Sequence, residues 1–455
     1  MRSKKLSDIL ILVLPMFALA TILRGTSAAA RLTLGRITMR GKKVSIGMTA
    51  VLTALTVGLL MTGTGAAAQT ETVLYSFDSP SGYGPLAGLT FDGAGNLFGA
   101  TAYGGIRSTA PGTIFKLAPA SGEDWTPTWL EEYGYGKGGP SAVIFDAAGN
   151  LYFVTAGGGA FSGGVVYELM PQAGGGWSEK RLYSFGEGKP TDGVGPNGPL
   201  VFDSAGNLYG TTYVGGGYAT GFGTVFELTP GTDGAWTEKT LHSFGAGTDG
   251  YHPEGNLIVD GAGNLYGTTS AGGVYGEGTV FELTREAGGG FGEKILHSFE
   301  PSIGDGSQPQ YGLLLDSAGN LYGTTRYGGP TGDTGTVFEL SPQADGKWTE
   351  KILDGFQSGN NSQPCGNLIF DKAGNLYGTT LLGGPGACSN GCGTVYELTP
   401  NTRGGWTENV LHNFGVGSDG AHPYDGLIVD AAGNLYGTTN GGGAYGWGTV
   451  FEITP

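Results

Sequence analysis

The chain repeats one pattern of short apolar runs that are separated by glycine-rich polar turns. The third copy contains the runs PLVFD (199–203), NLYGTTY (207–213), GTVFELTP (223–230) and WTEKTLHSF (236–244). Aromatic and β-branched residues bounded by Gly, Asp and Asn are typical of short β-strands that are joined by tight turns. No long stretch after residue 68 has apolar residues at helical spacing. The pattern therefore predicts an all-β protein.

The number of copies predicts the architecture. Each copy carries the phrase AGN, whose asparagines are Asn96, Asn150, Asn207, Asn264, Asn320, Asn375 and Asn434. The spacing ranges from 54 residues (Asn96 to Asn150) to 59 residues (Asn375 to Asn434). Four strand-like runs in a unit of this length are typical of a propeller blade. We predict a seven-bladed β-propeller with four antiparallel strands per blade.

The two ends of the chain predict how the ring closes. A fourth strand follows the third in copies one to six, whereas copy seven stops at Pro455. The stretch ETVLYSF (71–77) matches the tail of WSEKRLYSF (177–185), which is a fourth strand. We therefore expect the N-terminal strand 71–77 to complete the last blade, which removes exposed sheet edges.

Two charged positions recur in the blades, and we interpret both as structural. The first is the aspartate before AGN, which we expect to accept backbone N–H bonds in a tight turn. Calcium binding is the alternative, but the D-x-D-x-D-G spacing is absent. The second is a glutamate twelve residues before a lysine, in the pairs Glu168 and Lys180, Glu227 and Lys239, Glu282 and Lys294, and Glu339 and Lys351. One such pair in each of several blades predicts cross-strand pairing rather than catalysis.

The N-terminal region has the composition of a leader. Residues 39–68 combine a basic start, an apolar run and a small-residue end, which predicts a signal peptide cleaved before Gln69. We interpret residues 1–38 as a mis-annotated upstream extension, with an N-terminal membrane anchor at 9–23 as the alternative. The mature protein, residues 69–455, is then one propeller domain that is secreted, periplasmic or on the cell surface.

The charge of the mature region excludes some partners. The whole chain has a formal net charge of −16, and its first 68 residues hold nine Lys or Arg and one acid. Removing them leaves 14 bases and 38 acids, which is a charge of −24. Such a surface repels nucleic acid and anionic lipid. We expect a monomer that binds neither nucleic acid nor a membrane after its signal is removed, and the sequence predicts no cofactor.

The three cysteines fit an exported protein. Cys388 and Cys392 stand four residues apart in a glycine-rich loop, and we predict a disulfide between them because export favours oxidation. Three free thiols are the alternative, and the redox state of Cys365 is left open. We predict no metal site here because no histidine or further cysteine lies near these positions.

The loops between strands two and three vary most, and variable loops on a rigid scaffold often bind ligands. Their aromatic residues are our ligand-binding candidates: Tyr213, Tyr218, Tyr275, Tyr327, Tyr445 and Trp447. Rings interleaved with Gly, Asp and Asn suit sugar or peptide contacts. Packing between blades or over the central channel is the alternative for each tyrosine.

Two histidines in matching loops are weak catalytic candidates. His252 and His422 precede strand one in blades four and seven, and Asp249, Asp419 and Tyr424 lie close to them in sequence. If both rings turn inward, these five residues share one pocket; exposed histidines before a turn proline are the alternative. The other histidines, His242, His297 and His412, lie on outer strands of different blades and receive no role. No known nucleophile, metalloprotease or phosphate-binding motif is present.

The phrases GLIxDxAGNLYGTTxxGG, GTVFELTP and WTEKxLHSF together resemble the GloVer tandem-repeat proteins over residues 71–455. Those "choice-of-anchor" proteins are exported by bacteria and have no established activity, so the resemblance implies export and supplies no site residues. It implies a freely secreted or periplasmic protein here, since no sorting signal precedes Pro455. The shorter D-x-x-G-N-L-Y core more distantly resembles NHL-like and virginiamycin B lyase-like seven-bladed propellers.

These observations lead to one main functional hypothesis and two alternatives. We expect a secreted, non-catalytic binding or scaffold protein that uses its variable loops to hold a glycan, a peptide or an envelope protein. One alternative is a lyase-type or hydrolase-type enzyme that acts at the mouth of the channel. The other is a structural surface or adhesin repeat protein.

Overall fold

The structure is a computed structural model that describes residues 70–454, apart from 81, 106–111, 121–124, 134–138, 188, 190, 218–220 and 358–360. The predicted leader (39–68) and the segment 1–38 lie outside the described residues. Within them, the secondary structure consists of 34 β-strands and one 3-10 turn at Pro301–Ile303. None of the helical structure in this part of the chain could span a membrane.

The first three blades are antiparallel sheets of consecutive strands. Blade 1 contains β2 (Thr90–Phe91), β3 (Leu97–Thr101), β4 (Gly112–Pro119) and β5 (Trp125–Tyr133). Blade 2 contains β6 (Ile144–Phe145), β7 (Leu151–Thr155), β8 (Val165–Pro171) and β9 (Trp177–Ser184). Blade 3 contains β10 (Gly193–Pro196), β11 (Val201–Phe202), β12 (Leu208–Gly215), β13 (Thr224–Pro230) and β14 (Trp236–Ser243).

The remaining four blades repeat this order. Blade 4 contains β15 (Gly250–Tyr251), β16 (Ile258–Val259), β17 (Leu265–Thr269), β18 (Ala271–Gly272), β19 (Thr279–Arg285) and β20 (Phe291–Ser298). Blade 5 contains β21 (Gly306–Ser307), β22 (Leu314–Leu315), β23 (Leu321–Thr325), β24 (Tyr327–Gly328), β25 (Thr336–Pro342) and β26 (Trp348–Gly355). Blade 6 contains β27 (Asn361–Phe370), β28 (Leu376–Gly383), β29 (Thr394–Pro400) and β30 (Trp406–Asn413). Blade 7 contains β31 (Gly420–Pro423), β32 (Ile428–Val429), β33 (Leu435–Gly442), β34 (Thr449–Thr454) and β1 (Thr70–Ser76).

The N-terminal strand closes the ring. β1 pairs antiparallel with β34, and the register runs from Thr70 opposite Thr454 to Ser76 opposite Thr449. Blade 7 therefore receives its outer strand from the other end of the described chain. The predicted seven-bladed β-propeller and its closure are both confirmed.

The hydrophobic core is divided among the seams between blades. Seven clusters of buried residues are present in the described part of the chain, and each is shared by two neighbouring blades. Between blades 3 and 4, for example, Phe244 and Phe281 pack with ring centroids 5.1 Å apart. Gly210 in β12 is required for close packing, because a Cβ there would lie 2.6 Å from the Phe226 ring. Each fully buried Leu or Phe in these seams contributes about 1.5–3 kcal/mol of stability.

The repeated turns have the predicted chemistry. In the third copy, Asp203 Oδ1 accepts hydrogen bonds from the backbone N–H groups of Ala205 and Asn207, at 2.9 Å each. Asn207 Nδ2 donates to Asp203 Oδ2 at 2.8 Å. Tyr209 extends this network, because its hydroxyl lies 3.0 Å from Asp203 Oδ2 and 2.7 Å from Glu227 Oε1. The aspartate thus shapes the turn and connects it to the third strand.

The repeated lysines have a different main partner from the predicted one. The register does place each lysine opposite its glutamate, as in Glu227 and Lys239. Among the four pairs, however, only Lys180 Nζ is close to its glutamate, at 3.6 Å from Glu168 Oε2. The lysines instead donate to a backbone carbonyl in the hairpin turn of the next blade, and Lys239 Nζ lies 2.8 Å from Gly289 O. They therefore connect neighbouring blades, because the next blade brings an acceptor within reach of each exposed ammonium group.

The innermost strand of most blades is interrupted where it faces the channel. In blade 3, both β10 and β11 pair with β12, and the residues between them leave the ladder. In blade 6 the strand continues, but its register shifts between Cys365 and Ile369. Each interruption follows a proline and precedes a buried leucine or valine, as in Pro253-Glu-Gly-Asn-Leu257. The residues in between, three in most blades and two in blade 2, are free to line the centre of the ring.

Candidate functional site

The top face is defined here as the side that carries the loops from strand two to strand three and from strand four to the next strand one. Nine large hydrophobic residues are exposed among the described residues, and all of them lie on these loops or at the strand ends that border them: Tyr103, Phe161, Tyr213, Val274, Tyr275, Ile303, Val416, Tyr445 and Trp447. The opposite side carries the AGN turns and the hairpins between strands three and four. The top face is therefore the apolar side of the ring.

Three of the aromatic rings on this face form a platform across the seam between blades 7 and 1. Tyr83 and Tyr103 are stacked, with centroids 5.4 Å apart and an interplanar angle of 25°. The Trp447 ring lies 4.8 Å from that of Tyr83. The Gly84 N–H donates to Trp447 O at 3.2 Å, which fixes the two blades in register. We call Tyr83, Tyr103 and Trp447 the aromatic platform, of which Tyr103 is 51% exposed and Trp447 is 41% exposed.

The sequence predicted only Trp447 of this platform. Tyr103 and Tyr83 were missed, although Tyr103 precedes the same Gly-Gly pair as the candidate Tyr327. That shared position is the signal that could have identified Tyr103. Tyr83 stands two residues before the inner-strand proline, as Tyr251 does in blade 4, and that match is the signal that could have identified it.

The other predicted aromatics do not join the platform. Tyr213 stacks on His252 with ring centroids 4.4 Å apart, and Tyr327 lies under the Arg326 guanidinium at 5.2 Å. Tyr275 and Tyr445 are exposed on the loops of blades 4 and 7. Tyr218 lies outside the described residues.

The two candidate histidines are bonded to the blade that precedes them. His252 Nδ1 lies 3.0 Å from Tyr213 O, and His422 Nδ1 lies 3.0 Å from Leu381 O. Both have a left-handed backbone directly before a proline, with φ of 60° for His252 and 57° for His422. Such a conformation costs about 1–3 kcal/mol for a residue other than glycine.

The five residues predicted to share a pocket are separated in the fold. Asp249 and Asp419 turn away from His252 and His422, and they bind His242 and His412 on the outer strands instead. Tyr424 lies in the central cavity of the ring. The structure therefore does not bring the predicted catalytic constellation together. The histidines that the sequence left without a role each lie next to two carboxylates.

The centre of the ring holds a cavity of about 360 Å³ that is lined by the interrupted inner strands. Its wall in blades 1 and 2 is mainly apolar and includes Leu86, Ala87, Ala102, Ala142, Val154 and Ala156. Its wall in blades 3 to 7 is polar and includes Asn197, Glu254, Asn256, Gln310, Tyr311, Asn367, Tyr424 and Asp425. The sequence analysis missed most of these residues. Their signal is the variable segment of two or three residues between a recurring proline and a buried leucine or valine.

The polar wall and the adjoining Arg326, which contacts the lining residue Gln310, contain polar groups with few protein partners. Arg326 Nη1 donates to Gln310 Oε1 at 3.1 Å, while Arg326 Nε and Asn256 Oδ1 are buried without a hydrogen-bond partner among the described residues. Burial raises the pKa of Glu254, although hydrogen bonds from neighbouring side chains and the charge of Arg326 oppose the shift. Unpartnered buried polar atoms are rare in proteins; here Asn256 Oδ1 can accept a further hydrogen bond and Arg326 Nε–H can donate one.

Asp425 is the second carboxyl group in the cavity. Its Oδ2 accepts a hydrogen bond from the Gly88 N–H at 2.6 Å, and its Oδ1 accepts one from its neighbour Gly426 at 2.6 Å. Burial nevertheless raises the pKa of Asp425 to about 6. The side chain thus bonds across the seam between blades 7 and 1, and it can hold a proton at mildly acidic pH.

The cysteines lie in blade 6. The structure contains a disulfide between Cys388 and Cys392 in the loop between β28 and β29. Cys365 is a buried free thiol whose sulfur lies 3.0 Å from Pro423 O. Burial raises the pKa of the Cys365 thiol to about 12, which keeps it protonated and unreactive.

Comparison with solved structures gives distant matches. An extracellular domain assigned to a one-component system of B. thetaiotaomicron is 13% identical with a TM-score of 0.48; the match covers 83% of this chain and only 43% of that one. A gluconolactonase from Xanthomonas campestris is 16% identical with a TM-score of 0.41, and the match covers 69% of this chain and 87% of that one. A luciferin-regenerating enzyme is 14% identical with a TM-score of 0.42, and the match covers 85% of this chain and 95% of that one. These similarities are too low to argue a function from.

Comparison at the level of sequence is more informative. No curated protein matches the chain. A family model described as the Gloeobacter/Verrucomicrobia repeat matches residues 139–388 and 334–455. The two segments overlap and together cover more than half of the sequence. The chain therefore belongs to the Gloeobacter/Verrucomicrobia repeat family.

Proposed function

We propose that this protein is an exported, non-catalytic binding protein that holds a neutral glycan on its top face. The observation that carries the proposal is the aromatic platform of Tyr83, Tyr103 and Trp447 at the rim of the central cavity. Ala102 lines the cavity, and the next residue, Tyr103, belongs to the platform. A sugar that stacks on these rings can therefore place hydroxyl groups against the cavity wall.

The chemistry of the face favours a neutral sugar over other ligands. Flat, exposed rings match the apolar faces of sugar rings, and the amides and carboxylates of Asn256, Asn367 and Glu254 can accept or donate hydrogen bonds to hydroxyls. The acidic charge of the protein opposes binding of polyanions such as nucleic acid.

Export is the second part of the proposal and rests on the leader at 39–68. We expect the secreted protein to begin at Gln69, because signal peptidases cleave after small residues such as those at Ala66–Ala68. N-terminal sequencing of protein collected outside the cytoplasm measures this directly. A mature start upstream of residue 60 would contradict cleavage and favour an N-terminal anchor.

Glycan binding can be tested with neutral oligosaccharides of glucose, xylose, mannose and galactose. We expect at least one of them to bind the purified protein saturably in isothermal titration calorimetry. Trp447→Ala should then weaken binding about tenfold or more, because aromatic anchors contribute about 2 kcal/mol or more. Tyr275→Ala is the matched control, since Tyr275 is 50% exposed on the equivalent loop of the distant blade 4. Equal losses in the two variants, or no saturable binding, would contradict the proposal.

A second candidate function is a lyase-type or hydrolase-type activity in the cavity. One observation favours it, because Glu254 and Asp425 line the same cavity and burial raises the pKa of both. A carboxyl group that is protonated near neutral pH can act as a general acid. Turnover of chromogenic esters and glycosides that is lost in Asp425→Asn, but kept in His252→Asn, would favour this candidate over simple binding.

A further inference from the structure

One arrangement outside the proposed glycan site occurs three times among the residues that the structure describes. At the seam between blades 3 and 4, His242 Nε2 lies 3.1 Å from Asp249 Oδ2 and 3.7 Å from Glu293 Oε1. His242 belongs to the outer strand of blade 3, Glu293 belongs to the outer strand of blade 4, and Asp249 comes from the loop between them. Three different segments therefore direct one ligand atom each toward a single point.

The same three residue types meet at two other seams. Between blades 4 and 5, His297 Nε2 lies 2.9 Å from Asp305 Oδ2 and 3.8 Å from Glu350 Oε2. Between blades 6 and 7, His412 Nε2 lies 3.0 Å from Asp419 Oδ2, and Glu71 completes the group. In every group the three ligand atoms lie within 4.8 Å of one another. We call these three groups the seam triads.

Backbone groups hold the aspartate of each triad in place. Asp249 Oδ1 accepts the Gly250 N–H at 2.7 Å, and its Oδ2 accepts the Gly245 N–H at 3.0 Å. Asp305 and Asp419 accept hydrogen bonds from the corresponding backbone positions. The carboxylate is therefore oriented before any ligand arrives, which is the usual role of outer-shell hydrogen bonds around metal ligands.

One carboxylate oxygen of the glutamate in each triad lacks a hydrogen-bond donor. Glu293 Oε1, Glu350 Oε1 and Glu71 Oε1 are all buried and unpartnered among the described residues. A buried carboxylate oxygen without a donor costs about 1–3 kcal/mol or more, so three equivalent instances call for an explanation. A cation would satisfy these oxygens and compensate the adjacent negative charges.

We propose that each seam triad binds one zinc ion through the histidine Nε2, an aspartate oxygen and a glutamate oxygen. A mixed set of one imidazole and two carboxylates suits zinc, which takes nitrogen and oxygen ligands and completes its tetrahedron with water when the protein supplies three. Calcium and magnesium prefer ligand sets made of oxygen alone. Because each site joins two blades, the ions would also fasten those blades together.

Two seams provide internal controls. Between blades 2 and 3, Tyr183 stands at the histidine position, next to Asp192 and near Glu238. Between blades 5 and 6, the histidine position is Asp354, and the residue in the aspartate's place in the sequence, Asn360, lies outside the described residues. These two seams keep acidic side chains in the same fold but lack the imidazole.

The first test measures zinc stoichiometry. We expect the purified protein, stripped with a chelator and then dialysed against zinc at pH 7, to hold three zinc ions per chain by atomic emission. His242→Asn, His297→Asn and His412→Asn should each lower the content by one. Glu238→Gln, from a seam without histidine, and His252→Asn should leave it unchanged. Cobalt(II) in place of zinc gives a visible spectrum whose intensity should fall by a third in each histidine variant.

Two results would contradict zinc binding at the seam triads. If the stripped protein binds less than one zinc ion per chain, the proposal is wrong. The triads are then hydrogen-bonded histidine–aspartate pairs beside a neutral glutamate, without a metal ion. Loss of zinc in Glu238→Gln equal to that in His242→Asn would also overturn it. Neither outcome depends on glycan binding, which the Trp447→Ala measurement tests separately.

Discussion

Val73 and Phe451 face each other in an antiparallel ladder, although they come from the two ends of the described chain. This pairing places β1 on the outer edge of blade 7. The next residue after the strand, Phe77, is fully buried, and its N–H donates to Gly448 O at 2.9 Å. The ring is therefore closed by both hydrogen bonds and apolar packing at one seam.

The closure predicts that Phe77 is a major contributor to stability. Its ring packs against that of Phe115 in blade 1 at 5.2 Å, so Phe77→Ala leaves a cavity between blades 7 and 1. We expect the free energy of unfolding to fall by about 3–5 kcal/mol in guanidinium chloride titrations. Val416→Ala, on the exposed top face, is the control and should change it by less than about 0.5 kcal/mol. Similar values for both variants would show that the seam is loosely packed.

The Tyr209 hydroxyl is predicted to stabilise blade 3. It lies 2.7 Å from Glu227 Oε1 and receives a hydrogen bond from Arg285 Nη2 at 2.9 Å. Tyr209→Phe leaves the buried Glu227 without this donor, and we expect a loss of about 1–3 kcal/mol in chemical denaturation. In blade 1 the equivalent residues are Phe98 and Lys116, so where the carboxylate is absent the hydroxyl is absent too.

An exposed tyrosine provides the comparison for Tyr209. Tyr445→Phe removes a hydroxyl from the top face, where water replaces it, and should change the free energy of unfolding by less than about 0.5 kcal/mol. If Tyr209→Phe is as mild as Tyr445→Phe, the network between the AGN turn and the third strand does not stabilise the blade.

Asp425 predicts a specific dependence of stability on pH. Because burial raises its pKa to about 6, the carboxyl group ionises in the unfolded chain at a lower pH than in the folded protein. Well below pH 4 both states are protonated and the residue has no effect. Between about pH 4 and pH 6 the unfolded chain ionises while the folded protein stays protonated, so stability falls over this range and levels off above pH 6. The residue therefore destabilises the fold at neutral pH relative to acidic pH.

The measurement compares Asp425→Asn with the unmodified protein at several pH values. We expect the difference in the free energy of unfolding to move by about 1–3 kcal/mol in favour of the variant between pH 4 and pH 7. Other groups titrate equally in both proteins and cancel in the difference. A difference that stays constant over this range would mean that the folded pKa of Asp425 is not raised.

The residue before the inner-strand proline is under backbone strain in several blades. Gln308 has φ of 55° directly before Pro309, whereas Gly84 and Gly195 fill the equivalent place in blades 1 and 3 with φ of 62° and 68°. We expect Gln308→Gly to raise the free energy of unfolding by about 0.5–1 kcal/mol, because glycine adopts the left-handed conformation without the strain that a side chain causes. Gln308→Val should lower it by about 1–3 kcal/mol. A loss of stability in both variants would show that the glutamine side chain itself contributes.

Much of the architecture could be predicted from local sequence. The AGN phrase predicted both the turns and the number of blades, because Asp203, Asn207 and their equivalents build the same hairpin by short-range hydrogen bonds. The register of Glu227 opposite Lys239 was also predictable, since a hairpin fixes which residues face each other. The acceptor of Lys239, Gly289 O, was not, because it belongs to another blade.

The candidate site was only partly predictable. The sequence indicated the variable loops and Trp447, but not that Tyr83 and Tyr103 would join it from blade 1. It also grouped His252 with Asp249, which are three residues apart. The left-handed turn at His252 sends its ring to Tyr213 O, while Asp249 turns to His242.

The sequence alone therefore determined the strands, their turns and their number, because these depend on periodicity and on contacts within one hairpin. It also determined the closure of the ring, because the N-terminal stretch matches the fourth strand that the last copy lacks. The tertiary structure decided which side chains meet across seams and in the central cavity. Those meetings join residues from separate blades, as with Glu71 and His412 at the seam between blades 6 and 7. Their geometry depends on how neighbouring sheets pack against each other, and no local pattern encodes it.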